Sequence, residues 1–220
     1  MKDEEKCMNI KEPNLDGITE CNTIKGVIME AAARDMDVAC CFFNKCYETD
    51  VAANKMEFSS CEFKECICLN SKFEKVCFTD VLFENCDFSN SIFYECNFVR
   101  VTFKNCKLVG SNLCNVNMYN ILIDNTNISY ASFSLGTYKE VCFQESKLSN
   151  TALQEVTFKD VEFDRTNLIA SQLSNTSLKD IDLSNCDITG IALTEDCLRG
   201  LIINEMQALE LSRLLGIIIK

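Results

Sequence analysis

Cys61-Glu62-Phe63, Cys66-Ile67-Cys68, Ser71-Lys72-Phe73, Val76-Cys77-Phe78, Val81-Leu82-Phe83 and Cys86-Asp87-Phe88 follow one another at five-residue steps. In each triplet an apolar and usually bulky residue is preceded, two places earlier, by a small one. The phase holds without a slip through Phe103, Leu113, Ile123, Phe133, Phe143, Leu153, Phe163, Leu173 and Leu183 to Ile203. This is an internal repeat, and such a repeat outranks any local propensity in deciding architecture.

A five-residue period makes a solid body for a geometric reason. Side chains of an extended segment alternate between its two sides, so the central residue and the one two before it point the same way. The other three positions are polar and carry the chain round a corner. If each repeat forms one side of a square, four make a coil of 20 residues, and coils stack at the strand spacing of about 4.8 Å. Residues 20 apart must then stack. Phe58, Phe78, Phe98, Met118, Tyr138, Phe158 and Leu178 form one such column, and Phe63, Phe83, Phe103, Ile123, Phe143, Phe163 and Leu183 the next. The columns through Cys68, Phe88, Leu108 and Ile128 and through Phe73, Phe93, Leu113 and Phe133 are more aliphatic. The expected fold is all-β, a four-sided solenoid filled by its own side chains. About 30 repeats from Phe58 to Ile203 give some seven and a half coils, a rod of roughly 36 Å.

The body is bounded at both ends and interrupted once. Residues 1–25 read as an irregular lead-in, residues 26–204 as the repeat body, and residues 205–220 as a carboxyl-terminal helix and strand. Within the body, Glu-Ala-Ala-Ala-Arg at 30–34 also suits a helix through Met29 to Asp35, but the repeat phase is the favoured reading. At Cys46-Tyr47-Glu48 the central position holds a carboxylate, and at Val51-Ala52-Ala53 an alanine too small to fill it. A buried unpaired carboxylate costs several kcal/mol, so residues 47–55 are expected to form an exposed loop, with two poor but regular repeats as the alternative. Its polar residues Tyr47, Glu48, Thr49, Asp50, Asn54 and Lys55 are the candidate partner-binding loop. At the other end Asn204-Glu205-Met206-Gln207 has the form of a capping box, Ala208, Leu211, Leu214 and Leu215 share a helical face, and Gly216 fits a helix stop. Ile217, Ile218 and Ile219 then make a strand too apolar to leave exposed. Pairing with a second copy places Met206, Leu211, Leu214, Leu215, Ile217, Ile218 and Ile219 at a two-fold dimer interface; folding back on the last coil is the alternative.

Composition narrows the function. The chain has 220 residues, 47% of them hydrophobic, with one Pro and seven Gly, which supports a folded core. Its single repeat phase argues for one domain. No apolar run approaches the roughly 20 residues of a membrane helix, and the charged start Met1-Lys2-Asp3-Glu4-Glu5-Lys6 lacks the apolar core of a secretory signal; a cytoplasmic location is expected. Nine of the sixteen cysteines (Cys21, Cys41, Cys46, Cys61, Cys66, Cys86, Cys96, Cys106, Cys186) occupy the small position of the repeat. They read as buried, reduced, alanine-like side chains. With 33 acidic against 21 basic residues the formal charge is −12. Direct nucleic-acid binding is therefore disfavoured and a basic protein partner favoured. The absence of His removes the usual nucleophilic triads. Cys66-Ile67-Cys68 has no second pair to complete a metal site, and no Gly-rich phosphate loop is present. No catalytic residue, metal or cofactor is assigned.

Cys96-Asn97-Phe98, Ser111-Asn112-Leu113, Thr126-Asn127-Ile128, Thr166-Asn167-Leu168, Ile181-Asp182-Leu183 and Cys186-Asp187-Ile188 resemble the pentapeptide-repeat consensus, Ala-Asp/Asn-Leu followed by two variable residues. The resemblance covers about nine-tenths of the chain, and it implies a right-handed quadrilateral β-helix. A narrower likeness lies at the carboxyl end. Gln207-Ala208, Leu211, Arg213-Leu214-Leu215-Gly216 and Ile217-Ile218-Ile219 are similar to the tail of the Qnr quinolone-resistance proteins and related microcin-immunity proteins; Asn125 to Phe133 is also Qnr-like. That resemblance implies a dimeric, DNA-shaped acidic rod that binds type II topoisomerases, DNA gyrase and topoisomerase IV, and relieves quinolone poisoning. Outward carboxylates such as Glu62, Asp80, Glu84, Asp87, Glu155, Asp160, Glu162 and Asp164 would stand in for DNA phosphates. The chain departs from the pattern at Cys114 to Asp124, where many Qnr proteins carry a larger loop. Here Val116, Met118, Ile121 and Ile123 keep the phase, which counts against drug protection more than against topoisomerase binding. An adaptor solenoid with a different protein partner is the competing class.

Overall fold

Residues twenty apart lie side by side. The computed structural model of the chain describes residue 8 and residues 10–218. In it, strands Glu57–Lys64, Cys77–Glu84, Asn97–Lys104, Asn117–Asp124, Thr137–Gln144 and Thr157–Asp164 pair in parallel, one coil above the next. Phe58 faces Phe78, which faces Phe98, then Met118, Tyr138 and Phe158; Phe63, Phe83, Phe103, Ile123, Phe143 and Phe163 run beside them. The other two walls pair in the same register, through Ala52–Asn54, Lys72–Glu74 and Ile92–Tyr94 and through single bridges such as Asp87 to Lys107 and Asn112 to Ser132. The fold is the pentapeptide-type parallel β-solenoid that the period requires.

Corners recur as strictly as the walls. At every fifth residue from Asp35 to Asp180 the backbone is left-handed, with φ between 44° and 66°. This conformation costs an ordinary residue about 1–2 kcal/mol, and Asn, the best tolerated after Gly, holds many of these positions. Rungs between coils offset that cost: the corner N–H of Lys45 donates to Lys64, that of Glu65 to Glu84, and that of Asn85 to Lys104.

Inside, rings stack along columns and meet edge to face across corners. Phe83 and Phe103 lie 4.8 Å apart at 11°, Phe78 and Phe98 5.0 Å apart at 8°, whereas Phe83 and Phe88 are at 87°. Ring separation thus matches the coil spacing. Tyr138 enters an otherwise phenyl and aliphatic column because its hydroxyl donates to the Phe133 carbonyl at 2.6 Å. Gly136 makes room for it, since a Cβ there would lie 2.6 Å from both the Val116 carbonyl oxygen and the Tyr138 ring.

The nine small-position cysteines are free thiols, as expected, but they act as more than alanine substitutes. Sγ of Cys66, Cys86 and Cys106 donates to the carbonyls of Phe43, Phe63 and Phe83 at 3.2–3.3 Å. In the same column Thr126, Ser146 and Thr166 donate identically to Phe103, Ile123 and Phe143. The position selects a small donor that satisfies a buried carbonyl one coil below. Burial pushes the Cys96 thiol up to about 12, which keeps it protonated and donating at neutral pH. Outside this set, Cys142 is disulfide-bonded.

The ends depart from the sequence reading. Residues 24–33 form a helix, α1 (Ile24–Ala33), not repeats, so the propensity of Ala31-Ala32-Ala33 prevails there. Thr23 caps it, and Ile24, Ile28 and Ala31 are buried against the open amino-terminal end of the solenoid. The expected loop at 47–55 is also absent. Tyr47 bridges Ile67, Ala52–Asn54 pairs with Lys72–Glu74, and Val51 and Ala53 are buried. Ala53 suffices because this is the end coil, where α1 packs on the 52–54 segment. Glu48 avoids burial as an unpaired carboxylate by accepting the Ile24 and Lys25 N–H groups at 2.8 Å each, at the start of α1.

At the other end α2 (Glu205–Leu211) begins with the expected capping box between Asn204 and Gln207. The Gln207 amide also donates to the Leu183 and Cys186 carbonyls at 2.8 Å, closing the last coil. A further short turn, Ser212–Leu215, ends at Gly216. Ile217 and Ile218, where a strand paired with a second copy is expected, follow it uncovered, while Ile219 and the Leu215 side chain lie outside the described residues.

Candidate partner-binding surfaces

With its axis filled by side chains, this rod offers its outside as the surface open to other molecules. Among the described residues no group of three or more His, Cys, Asp or Glu could hold a metal ion, and no helix is long and apolar enough to cross a membrane. Three surfaces remain: the 47–55 coil, the carboxylate set and the carboxyl-terminal tail.

In the first, Tyr47, Thr49, Asp50, Asn54 and Lys55 are exposed, but on a regular wall instead of a loop. Asp50 and Lys55 are left-handed corners, Asn54 donates to Glu74 at 3.2 Å, and Glu48 is committed to α1. Tyr47, 66% exposed, is the only large apolar side chain that residues 47–55 expose.

The eight carboxylates divide into two groups. Asp80 takes both nitrogens of the Arg100 fork at 2.6–2.7 Å, and the guanidinium holds its carboxyl below the usual range. Glu84 pairs with Lys64 at 2.8 Å, Asp87 with Lys107 at 3.8 Å and Asp164 with Arg165 at 2.8 Å. Each of these is a neutralised charge. Glu162 accepts the backbone N–H of Met8, and Glu62 is half-buried. Glu155 and Asp160 are exposed and outside the salt bridges. The middle of the rod, residues 101–150, is nearly balanced, with Lys104, Lys107, Lys139 and Lys147 against Asp124, Glu140 and Glu145. Exposed acids without a salt bridge lie at both ends of the rod: Glu12, Asp16, Glu20, Asp35, Asp37 and Asp50 near the amino end, and Asp180, Asp182, Asp187, Glu195, Asp196 and Glu205 with Glu155 and Asp160 in the last coils and tail.

The tail next to them is apolar. Met206 (74% exposed), Leu209, Leu214, Ile217 and Ile218 (86%) are all uncovered, and Met206, Leu209 and Ile217 line a shallow depression with Thr189, Glu210, Ser212 and Arg213. Leu211, assigned from sequence to the dimer interface, is instead buried on the last coil. Leu209 was missed, since it falls off the face marked by Ala208 and Leu211.

Models of the pentapeptide repeat region match residues 56–133 and 76–153, and models of pentapeptide repeats in eight copies match 142–180 and 151–190, together more than half of the chain. This chain belongs to the pentapeptide-repeat family. Its solenoid is similar to the crystal structure of HetL, a pentapeptide-repeat protein involved in heterocyst differentiation regulation in the cyanobacterium Nostoc sp. strain PCC 7120. The two are 15% identical, with a TM-score of 0.61, over 82% of this chain and 97% of that one. QnrB1, a plasmid-mediated fluoroquinolone resistance protein, is matched at 17% identity and a TM-score of 0.49, over 81% of this chain and 99% of that one. No curated protein sequence matches the chain.

A second segment of this pentapeptide-repeat protein escaped sequence reading. Residues 10–16 lie outside the wall, where Lys11 N–H donates to the Asn120 side-chain oxygen at 2.7 Å and Asn14 N–H to Asp80 at 3.1 Å. A signal existed: the outward positions Leu82, Thr102, Leu122 and Cys142 form an uncharged stripe, where other walls carry residues such as Lys72, Asp87, Lys107 and Lys147.

Proposed function

We propose that this chain is a non-catalytic binding rod that dimerises through its carboxyl-terminal tail and presents an acidic surface to a basic DNA-binding groove, with type II topoisomerases (DNA gyrase and topoisomerase IV) as the partner class. One observation carries this reading: the uncovered apolar tail sits beside the unpaired acids of the last coils. A two-fold contact through Met206, Leu214, Ile217 and Ile218, with Leu215 and Ile219 completing the apolar set in the sequence, would cover the apolar surface. It would also bring two acid-rich ends together, concentrating Glu155, Asp160, Asp180, Glu195, Asp196 and Glu205 of both copies near the axis. Charge concentrated in this way raises the rate of association with a cationic groove and makes binding fall with salt. The tail's likeness to Qnr proteins supplies the partner class.

The neutralised carboxylates Asp80, Glu84, Asp87 and Asp164 favour a second reading, an adaptor solenoid with a different partner. A supercoiling assay with purified gyrase, with and without a quinolone, separates the two. The first reading expects inhibition or drug protection at micromolar protein that disappears in the Ile217→Asp/Ile218→Asp variant; no change in either condition refutes it.

A further inference from the structure

Met8 and residues 10–14 lie along the rod axis, across the strands. Met8 N–H donates to Glu162 at 2.7 Å, Lys11 N–H to Asn120 at 2.7 Å and Asn14 N–H to Asp80 at 3.1 Å. Glu162 to Asn120, and Asn120 to Asp80, are each a step of about two coils, or roughly 10 Å. From Lys11 to Asn14, three residues of extended chain span the same roughly 10 Å; between Met8 and Lys11 the chain is bent, with Ile10 N–H donating to the Met8 carbonyl at 2.7 Å. From Lys11 on, the segment and the coil stack are therefore commensurate, and every third N–H of the segment, from Met8, meets an acceptor on every second coil. Pro13, which has no N–H, falls between two donating positions, where none is needed.

The wall beneath is shaped for a chain lying on it. Thr102 sits between inward Val101 and Phe103, so alternation points it outward, yet it is only 8% exposed. Asn120, on a corner, is 1% exposed. Only material outside the wall can bury such positions. Leu82 and Leu122, in the same outward column, are half-buried.

We propose that this outer wall, from Asp80 to Glu162, is a binding track for an extended polypeptide, and that residues 8–16 are its resident and exchangeable occupant. The ligand class follows from the contacts. The rod supplies side-chain acceptors and an uncharged stripe, so it reads an extended backbone with N–H groups at i, i+3 and i+6 and makes few demands on side chains. A peptide of that kind added in trans competes with the chain's own segment. The track is independent of the tail and of the topoisomerase reading, and its test involves neither.

The test uses the full-length chain carrying Lys11→Pro and Asn14→Pro, which removes two donors without altering the solenoid, in reducing buffer so that the Cys142 disulfide does not contribute. A fluorescently labelled synthetic peptide of residues 8–16 is titrated and followed by anisotropy. Saturable binding to this variant, at least tenfold weaker to the wild type, is the expected result. Absence of saturable binding to the variant, or equal binding to both proteins, overturns the proposal. Hydrogen exchange on the wild-type chain gives an independent reading that needs no variant. The Lys11 and Asn14 amides should exchange at least tenfold more slowly than that of Glu12, relative to their intrinsic rates; equal protection also overturns it.

Discussion

From Phe73 to Phe103 the axis of the rod is filled by stacked phenyl rings, and from Leu168 to Leu193 by leucine and isoleucine. In the first stretch three walls hold continuous strands, and cysteine is the commonest small-position donor; in the second the strands stop after Asp164, isolated bridges remain, and serine and threonine are the commonest donors. Register does not change between them. The comparison shows that the corners and the 20-residue rungs fix the architecture, whereas the filler sets how firmly each coil is held. Rings about 5 Å apart transmit packing from coil to coil, and branched aliphatic side chains do so less regularly.

The comparison breaks most readily at the core. Phe83→Ala, which empties the centre of an aromatic column, is expected to cost about 4 kcal/mol and Leu173→Ala about 3 kcal/mol, read from urea midpoints and slopes; the reverse order would refute the ranking of the halves. The donor column gives a smaller effect. Thr151 donates to the Ile128 carbonyl at 3.0 Å, so Thr151→Val should cost about 1–2 kcal/mol by orphaning that oxygen. Cys86→Ser, which keeps a donor in the aromatic half, should change stability by less than about 1 kcal/mol. At the amino end, Glu48→Ala removes two acceptors from the start of α1 and should cost about 1 kcal/mol, visible as faster exchange or proteolysis confined to residues 24–33.

The smallest effect is a pair of opposite pH dependences. The Arg100 fork holds the Asp80 pKa below its unfolded value, so its stabilisation is complete above about pH 4 and lost as pH falls through the folded value. Burial holds the Asp124 pKa above its unfolded value, so its penalty is present at neutral pH and relieved on acidification. Asp80→Asn should flatten the acid loss of stability, and Asp124→Asn should raise stability at pH 7, each by a fraction of the total. Thermal melts from pH 3 to pH 7 would show both, and equal slopes in the two variants would refute the assignment.

Much of this was legible in the sequence, because a five-residue phase constrains every coil at once. The columns, the filled axis, the regular Cys114–Asp124 segment and the Asn204–Gln207 cap were all readable from residue type and spacing. What was not readable depended on non-repeating neighbours. Glu48 and Ala53 look like defects until α1 is placed over them, where one becomes a cap and the other leaves room. Arg100 beside Asp80 and Lys64 beside Glu84 lie 20 residues apart, so a list of outward acids overstates the charge left unpaired. Residues 10–16 bind through main-chain N–H groups, which any sequence has, and only the uncharged stripe at Leu82, Thr102, Leu122 and Cys142 marks their place.

The left-handed corner at every fifth residue also makes the rod an angular ruler. Inserting or deleting five residues leaves each local repeat intact but turns everything downstream by a quarter revolution about the axis. Leucine columns would then sit over phenylalanine columns, and the carboxyl-terminal tail would face a new direction relative to the wall that holds residues 10–16. Only a change of twenty preserves direction while altering length. A lineage of such rods can therefore lengthen in whole coils and re-aim its partner in quarter turns, two independent adjustments from one geometric rule.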